Sequence, residues 1–324
     1  LELPPLLRQA VDKELDGVPL ADLKRASDTL SRRYRGEVRD GRLHLSDKLA
    51  AHAYLAARLP ATYAAVRASL AAASKMRPDF VPRTLLDIGS GPGTALWAVQ
   101  DCFETLDSAT LVETSPAIRA MGEALSVHTA LASLQWVSGD IAKGLPPLPR
   151  ADLVTLAYVL DELTDQALAP LIELLWAQTQ GMLLVVEPGT PAGWQRVLAA
   201  RQVLLAAGAQ IAAPCAHHSA CPVTAPDWCH FSRRVARSRL HRQTKSAEVP
   251  WEDEKYIFLA ATRLPEAGAS AARVLAPPQG SSGMVRLKLC QPDGSLDQRV
   301  VTRREGQAFK SASRLDWGDV WQKS

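Results

Sequence analysis

The sequence predicts an α/β chain in which helices cover both faces of a parallel sheet, with a helical region before the sheet and a small β part after it. Three observations predict this. Between Thr84 and Glu187, short apolar strands alternate with segments of helical period. A glycine turn, Gly89-Ser90-Gly91-Pro92-Gly93, lies between the first strand and the first helix of that run. Residues 1–80 carry helical spacing alone, whereas beyond Arg273 short apolar–polar strands are separated by proline and glycine turns.

In chain order, a helical stretch opens at Leu20. Ser46 is the expected N-cap of a second helix that Pro60 breaks, and helical spacing resumes from Thr62 to Met76. The strands expected next are Thr84 to Ile88, Ala109 to Glu113, Leu134 to Val137, Asp152 to Tyr158 and Met182 to Glu187. Helices are expected over Thr94 to Cys102, Pro116 to Leu125 and Thr164 to Gln178. Repeated strand–helix alternation at this spacing requires parallel pairing and right-handed crossovers. The segment from Ala213 to Ser232 has neither period. A strand returns at Tyr256 to Ala261, and two more are expected at Met284 to Leu289 and Gln298 to Val301, in a β appendage read as barrel-like. This divides the chain into a helical region (1–80), a core (81–212 and 254–264), a cysteine-rich insertion with a basic segment (213–253) and the appendage (265–324).

Composition narrows the function classes. The 324 residues are 47% hydrophobic and 22% charged, an ordinary globular balance. No apolar run reaches the roughly 18 residues of a membrane span, and Leu1-Glu2-Leu3-Pro4 carries no secretory signal, so no membrane partner is expected. Formal net charge is only +3, but it is uneven: Arg233, Arg234, Arg237, Arg239, Arg242 and Lys245 follow one another without an acid among them. Such a block serves either a polyanion or a solvated surface. Five cysteines, an odd number, do not form a secreted disulfide framework.

The glycine turn carries the first chemistry. Without side chains at Gly89, Gly91 and Gly93, a ligand can approach the backbone, and the amides at the helix start favour an anionic group. The turn lacks both the G-x-G-x-x-G dinucleotide spacing and the G-K-[ST] of a triphosphate loop. Glu113 ends the second strand, where an acid holds ribose hydroxyls. The string Asp87-Ile88-Gly89-Ser90-Gly91-Pro92-Gly93 resembles the first motif of class I methyltransferases, the more so with Glu113 and Gly139-Asp140. That resemblance implies a Rossmann-like domain binding S-adenosylmethionine. Asp87 would orient the methionine end, Glu113 would hold the ribose, Asp140 and Ile141 would sit by the adenine, and Tyr158 would line the other side. For Asp140 the competing reading is a helix cap. Asp161 and Glu162 follow the fourth strand, where a methyl acceptor would be bound; they are candidate catalytic residues or caps of the next helix. No N-P-P-Y string is present.

Cys215, Cys221 and Cys229 crowd into fifteen residues of the insertion without zinc-finger or ferredoxin spacing. Soft thiolates suit zinc or iron–sulfur chemistry. Cys290, His217, His218 and His230 are the alternatives for a fourth ligand.

Taken together, the chain is similar to bacterial relatives of the mitochondrial methyltransferase-like factor that associates with the small ribosomal subunit. The resemblance runs through Tyr54-Leu55-Ala56-Ala57-Arg58-Leu59-Pro60-Ala61-Thr62-Tyr63, the glycine turn, Asp161-Glu162-Leu163, the cysteines with Asp227-Trp228-Cys229-His230-Phe231, and Trp317-Gly318-Asp319. It implies a [4Fe–4S] cluster on Cys215, Cys221, Cys229 and Cys290, with zinc as the alternative metal. It also implies small-subunit ribosomal RNA as partner, met by Arg233, Arg234, Arg237, Arg239, Lys288 and Arg304, and a monomer working in the bacterial cytoplasm or, in a eukaryote, the mitochondrial matrix. The main reading is a methyltransferase acting on that RNA; the alternative is a non-catalytic assembly factor that keeps the fold and the cluster.

Overall fold

The computed structural model describes residues 1–36, 47–127, 129–265 and 271–322. Four helices come first: α1 (Pro5–Glu14), α2 (Leu20–Arg35), α3 (Lys48–Ala57) and α4 (Leu59–Met76). Ser46 lies outside the described residues, and Asp47 is the N-cap of α3, accepting the Ala50 N–H at 2.8 Å. Pro60 falls in the first turn of α4, where its missing N–H costs nothing, so the chain bends between α3 and α4 without losing helix.

The core follows as β1 (Thr84–Ile88), α5 (Thr94–Gln100), β2 (Ser108–Glu113), α6 (Pro116–Ser126), β3 (Ser133–Ser138), β4 (Ala151–Ala157), α7 (Asp165–Gln178), β5 (Thr179–Pro188), α8 (Pro191–Ala206), β6 (Gln210–Ala213), β7 (Phe231–Ala236), α9 (Arg239–Thr244) and β8 (Trp251–Thr262). The sheet runs β3-β2-β1-β4-β5-β8-β6, parallel from β3 to β5, with β8 antiparallel between β5 and β6. β1, β4 and β5 are buried almost along their whole length, as strands covered on both faces must be. The carboxyl ends of β1, β2, β4 and β5 therefore meet at one rim, flanking the point where strand order reverses. Ligands bind there in open α/β sheets.

β7 lengthens this sheet by pairing with the first half of β8, from Phe231↔Tyr256 to Ala236↔Trp251. The basic run is thus a strand followed by a short helix within the sheet's reach, where the sequence suggested a separate insertion to residue 253.

The C-terminal part is β9 (Ala272–Val274), β10 (Gln279–Ser281), β11 (Met284–Cys290), β12 (Leu296–Thr302), α10 (Gln307–Ala312) and β13 (Val320–Trp321). Its strands make an open antiparallel sheet, not a closed barrel. Strand β11 decides how it docks. Val285, Leu287 and Leu289 fill a small core with Val274, Val301 and Trp321, while Cys290, on the opposite face, belongs to the main core. Lys288, on the same face as Cys290, pairs with Asp227 of the cysteine loop. The appendage thereby delivers a cysteine to the insertion.

Candidate functional site

The rim gathers the carboxylates that the sequence singled out. Gly89, Gly91 and Gly93 all have positive φ (64°, 53° and 78°), the conformation that favours glycine. A side chain at Gly89 would collide with Val159, whereas one at Gly91 would project into open space beside the loop. Glu113 is 8% exposed and faces this loop. Its Oε2 accepts the Gly91 N–H and its Oε1 the Ser115 N–H, both at 2.8 Å. Each carboxylate oxygen keeps further acceptor capacity, so the sugar-binding role is compatible with these bonds. Burial raises the Glu113 pKa while the backbone amides of Ser115 and Gly91 pull it down.

Asp87 lies directly across from Thr155, whose hydroxyl donates to Asp87 Oδ1 at 2.6 Å. Its Oδ2 is buried and has no partner among the described residues. Burial pushes Asp87 up to about 7, against the Thr155 hydrogen bond and with a contribution from Glu113. An orphaned carboxyl oxygen beneath an open glycine cradle fits a donor-bearing ligand such as the amino end of S-adenosylmethionine.

Asp140 is held within its own turn: Oδ1 accepts the Ala142 N–H at 2.9 Å and Oδ2 pairs with Lys143 at 2.9 Å. Ile141 is half-buried against the main core. Tyr158 sits just past β4 with φ of 59°, a conformation uncommon for a bulky residue. Its hydroxyl donates to Glu254 Oε1 at 2.9 Å, and Arg58 of the α3–α4 junction lies 3.7 Å from the same oxygen. The Arg58 guanidinium also stacks over Tyr34 of α2, 5.7 Å from its centroid. The helical region thus reaches Tyr158, just past the end of β4, through Arg58 and Tyr34.

Asp161 and Glu162 form a single 3-10 turn, and neither caps α7, whose N-cap is Thr164. Asp161 is 4% exposed. Glu162 presents surface at the rim yet has its carboxyl pushed up to about 8, by desolvation first and then by Asp161 and Glu113. Glu187 lies at the end of β5. It is fully buried, accepts the Val159 and Leu160 N–H groups at 3.2 and 3.0 Å, and pairs with Arg196 of α8 at 3.1 Å. Glu187 therefore fixes the turn that carries Asp161. Burial and Asp161 raise its pKa while Arg196 opposes them. The Arg196 partner, nine residues on, was the signal that sequence reading missed.

The four cysteines of the second site come from three places: Cys215 just after β6, Cys221 and Cys229 in the loop before β7, and Cys290 at the end of β11. All are free thiols. Cys229 is held well up by burial and then by Cys215, Cys221 and Cys290, so the four lie within one another's electrostatic reach. Burial, then Cys215 and Cys221, push Cys290 up to about 12. Among the described residues, no group of three His, Cys, Asp or Glu side chains is gathered tightly enough to hold a metal ion. Trp228 donates its Nε1–H to Gly189 O at 3.0 Å and stacks on His230 at 4.9 Å, while Phe231 is 2% exposed. These aromatics wall the loop.

The basic candidates divide. Arg234 pairs with Asp253, Arg237 with Glu252 and Lys288 with Asp227. Arg233, Arg239 and Arg304 are exposed. No described helix is long and apolar enough to cross a membrane.

Strand order, glycine turn and the acid at the end of β2 together define a protein with a class I methyltransferase-like fold. A family model described as "Rsm22: Mitochondrial small ribosomal subunit Rsm22" matches residues 48–322, and the chain belongs to that family. It is 29% identical over 283 residues to the human "Ribosome assembly protein METTL17, mitochondrial", covering 82% of this chain and 61% of that protein. It is 21% identical over 320 residues to "Rsm22-cox11 tandem protein 2, mitochondrial" of Schizosaccharomyces pombe, covering 83% of this chain and 42% of that protein. The chain thus spans less than two thirds of the length of these curated relatives, 61% of the human one and 42% of the yeast one. Among solved structures, an O-methyltransferase family protein from Burkholderia thailandensis aligns at 14% identity with a TM-score of 0.45, over 76% of this chain and 71% of that one. Magnesium protoporphyrin IX methyltransferase (ChlM) from Synechocystis PCC 6803 with bound SAM aligns at 17% identity with a TM-score of 0.40, over 76% and 100%.

Proposed function

We propose that this protein is a non-catalytic assembly factor of the small ribosomal subunit that retains S-adenosylmethionine binding and carries a [4Fe–4S] cluster on Cys215, Cys221, Cys229 and Cys290. The observation that carries the non-catalytic reading is the network over the rim. The Tyr158 hydroxyl donates to Glu254, Arg58 sits on the same carboxylate, and Arg58 stacks over Tyr34 of the helical region, so that on this reading the helices stand over the acceptor entrance. Membership of the Rsm22 family and the name of the human relative support a role in ribosome assembly. The orphaned Asp87 oxygen, the open Gly91 cradle and the buried Glu113 support retained cofactor binding.

For the metal, the support is the donor set: the fold packs Cys290 of the appendage into the core against which Cys221 and Cys229 also lie, and four cysteines are the ligand set of a cubane cluster. When bound, the cluster would tie the cysteine loop to the appendage and so contribute folding energy. Arg233, Arg239 and Arg304 supply phosphate contacts to ribosomal RNA, which give affinity and position with little sequence readout. The protein acts as a monomer, in the mitochondrial matrix where its source is a eukaryote, as the names of its relatives indicate, and in the cytoplasm where its source is a bacterium.

The test is co-sedimentation of anaerobically purified protein with immature and mature small subunits. The expected result is stable binding to immature subunits that Cys221→Ser abolishes together with the iron chromophore. Equal, weak binding to both subunits and to unrelated RNA contradicts the reading.

A further inference from the structure

Two arginines beside the thiols are left without a purpose by everything above. Arg201 of α8 and Arg273 of β9 are each 4% exposed. Both brace the cysteine loop through its carbonyls. Arg201 donates to His217 O at 2.8 Å and Ser219 O at 2.9 Å, between Cys215 and Cys221. Arg273 donates to Pro214 O at 2.8 Å and to Gly318 O at 2.9 Å. In the sheet, Arg273 is the cross-strand partner of Cys290, so the two side chains share a face.

Carbonyls satisfy hydrogen bonds but not charge. Among the described residues, neither guanidinium is in an ion pair with a carboxylate. Burial works against the Arg273 cation and lowers its pKa, opposed by Cys215 as a thiolate first, then Asp319, Cys229 and Cys290. Arg201 Nε is buried with no hydrogen-bond partner among the described residues, which leaves one N–H for an acceptor the protein atoms do not supply. Buried charges are normally paired, and two unpaired cations converging on four neutral thiols would be costly. Four thiolates outweigh the positive charge of a cubane iron–sulfur core, so a bound cluster is anionic and removes the imbalance.

We infer that Arg201 and Arg273 are the counter-charges of the four-cysteine site, positioning residues that retain an anionic cluster and set its potential. The inference rests on the cluster reading above. Net charge and hydrogen bonds around the sulfurs are the protein's means of tuning such a centre.

The experiment is anaerobic reconstitution of the full chain with iron and sulfide, for the wild type, Arg201→Gln, Arg273→Gln and Arg201→Lys. Iron content, the rate of bleaching by a chelator and the midpoint potential are measured, with circular dichroism as the check on folding. Both glutamine variants are expected to bleach several-fold faster and to titrate at a more negative potential, and Arg201→Lys to stay near the wild type. Folded glutamine variants with wild-type potential and bleaching rate overturn the inference. So does an Arg201→Lys variant that fails as badly as Arg201→Gln, because carbonyl bracing alone then explains the residue. A wild-type chain that takes up no iron overturns the cluster reading itself, and the inference with it.

Discussion

At the scale of single residues, the rim is defined by acids whose environments differ. Glu113 is held in place by two amides, whereas Asp87 has one bonded oxygen and one orphan. Glu113→Ala is expected to weaken S-adenosylmethionine binding at least tenfold by isothermal titration, since it removes the sugar's acceptor and also frees the Gly91 amide. Tenfold is about 1.4 kcal/mol, at the lower edge of what a hydrogen bond to a charged group contributes. Asp87 gives a pH signature. Its folded pKa of about 7 stands above the ordinary 3.8, so the folded state binds the extra proton. The sign follows: as pH rises from about 4 to about 7, this group subtracts from stability, and above 7 the penalty is fully present. Asp87→Asn removes the penalty. The melting temperature of the cofactor-free variant should match the wild type near pH 4 and exceed it increasingly towards pH 7 to 8, by the equivalent of about 2–4 kcal/mol. An advantage that does not change with pH contradicts the assignment.

At the scale of elements, the turn after β4 is steadied from outside by Glu187 and Arg196. Arg196→Met leaves the Glu187 carboxylate buried without its partner and should cost about 3–5 kcal/mol in urea unfolding. The double change with Glu187→Gln should recover part of that loss, and the absence of any recovery would argue against the pair. This element also marks where the sequence stops being readable. β1, the glycine turn and Glu113 announce themselves through local spacing, and so does most of the parallel sheet. The pairs Glu187–Arg196, Tyr158–Glu254 and Arg273–Cys290 are chosen by the fold and leave no local period. β7 escaped notice because only its Phe231 and Val235 are buried, four residues apart, which neither alternates nor reads as a long helix. The run of arginines looked like one basic patch because sequence does not reveal that Arg234 faces Asp253 across β7 and β8, or that Arg237, just past β7, pairs with Glu252.

At the scale of the whole molecule, the sheet carries two sites at different places: the carboxylate rim and the thiol loop that joins the core to the appendage. The surface charges divide accordingly. Changing both Arg233 and Arg239 to alanine should lower affinity for immature small subunits and reduce the salt dependence of binding by about one unit of slope per arginine that touches a phosphate. Arg237→Ala should instead lower stability while leaving that slope in place, because its partner is Glu252.

On the proposed reading, the methyltransferase-like fold binds S-adenosylmethionine while its own helices cover the acceptor entrance. The direct measurement is incubation of anaerobically purified protein with S-adenosylmethionine labelled in the methyl group and immature small subunits. Recovered RNA and protein are counted for label, and bound cofactor is measured in the same samples. The expected result is bound cofactor and bound subunits with no label in the RNA. Label in RNA that disappears in Glu113→Ala would contradict the account and make the protein an RNA methyltransferase.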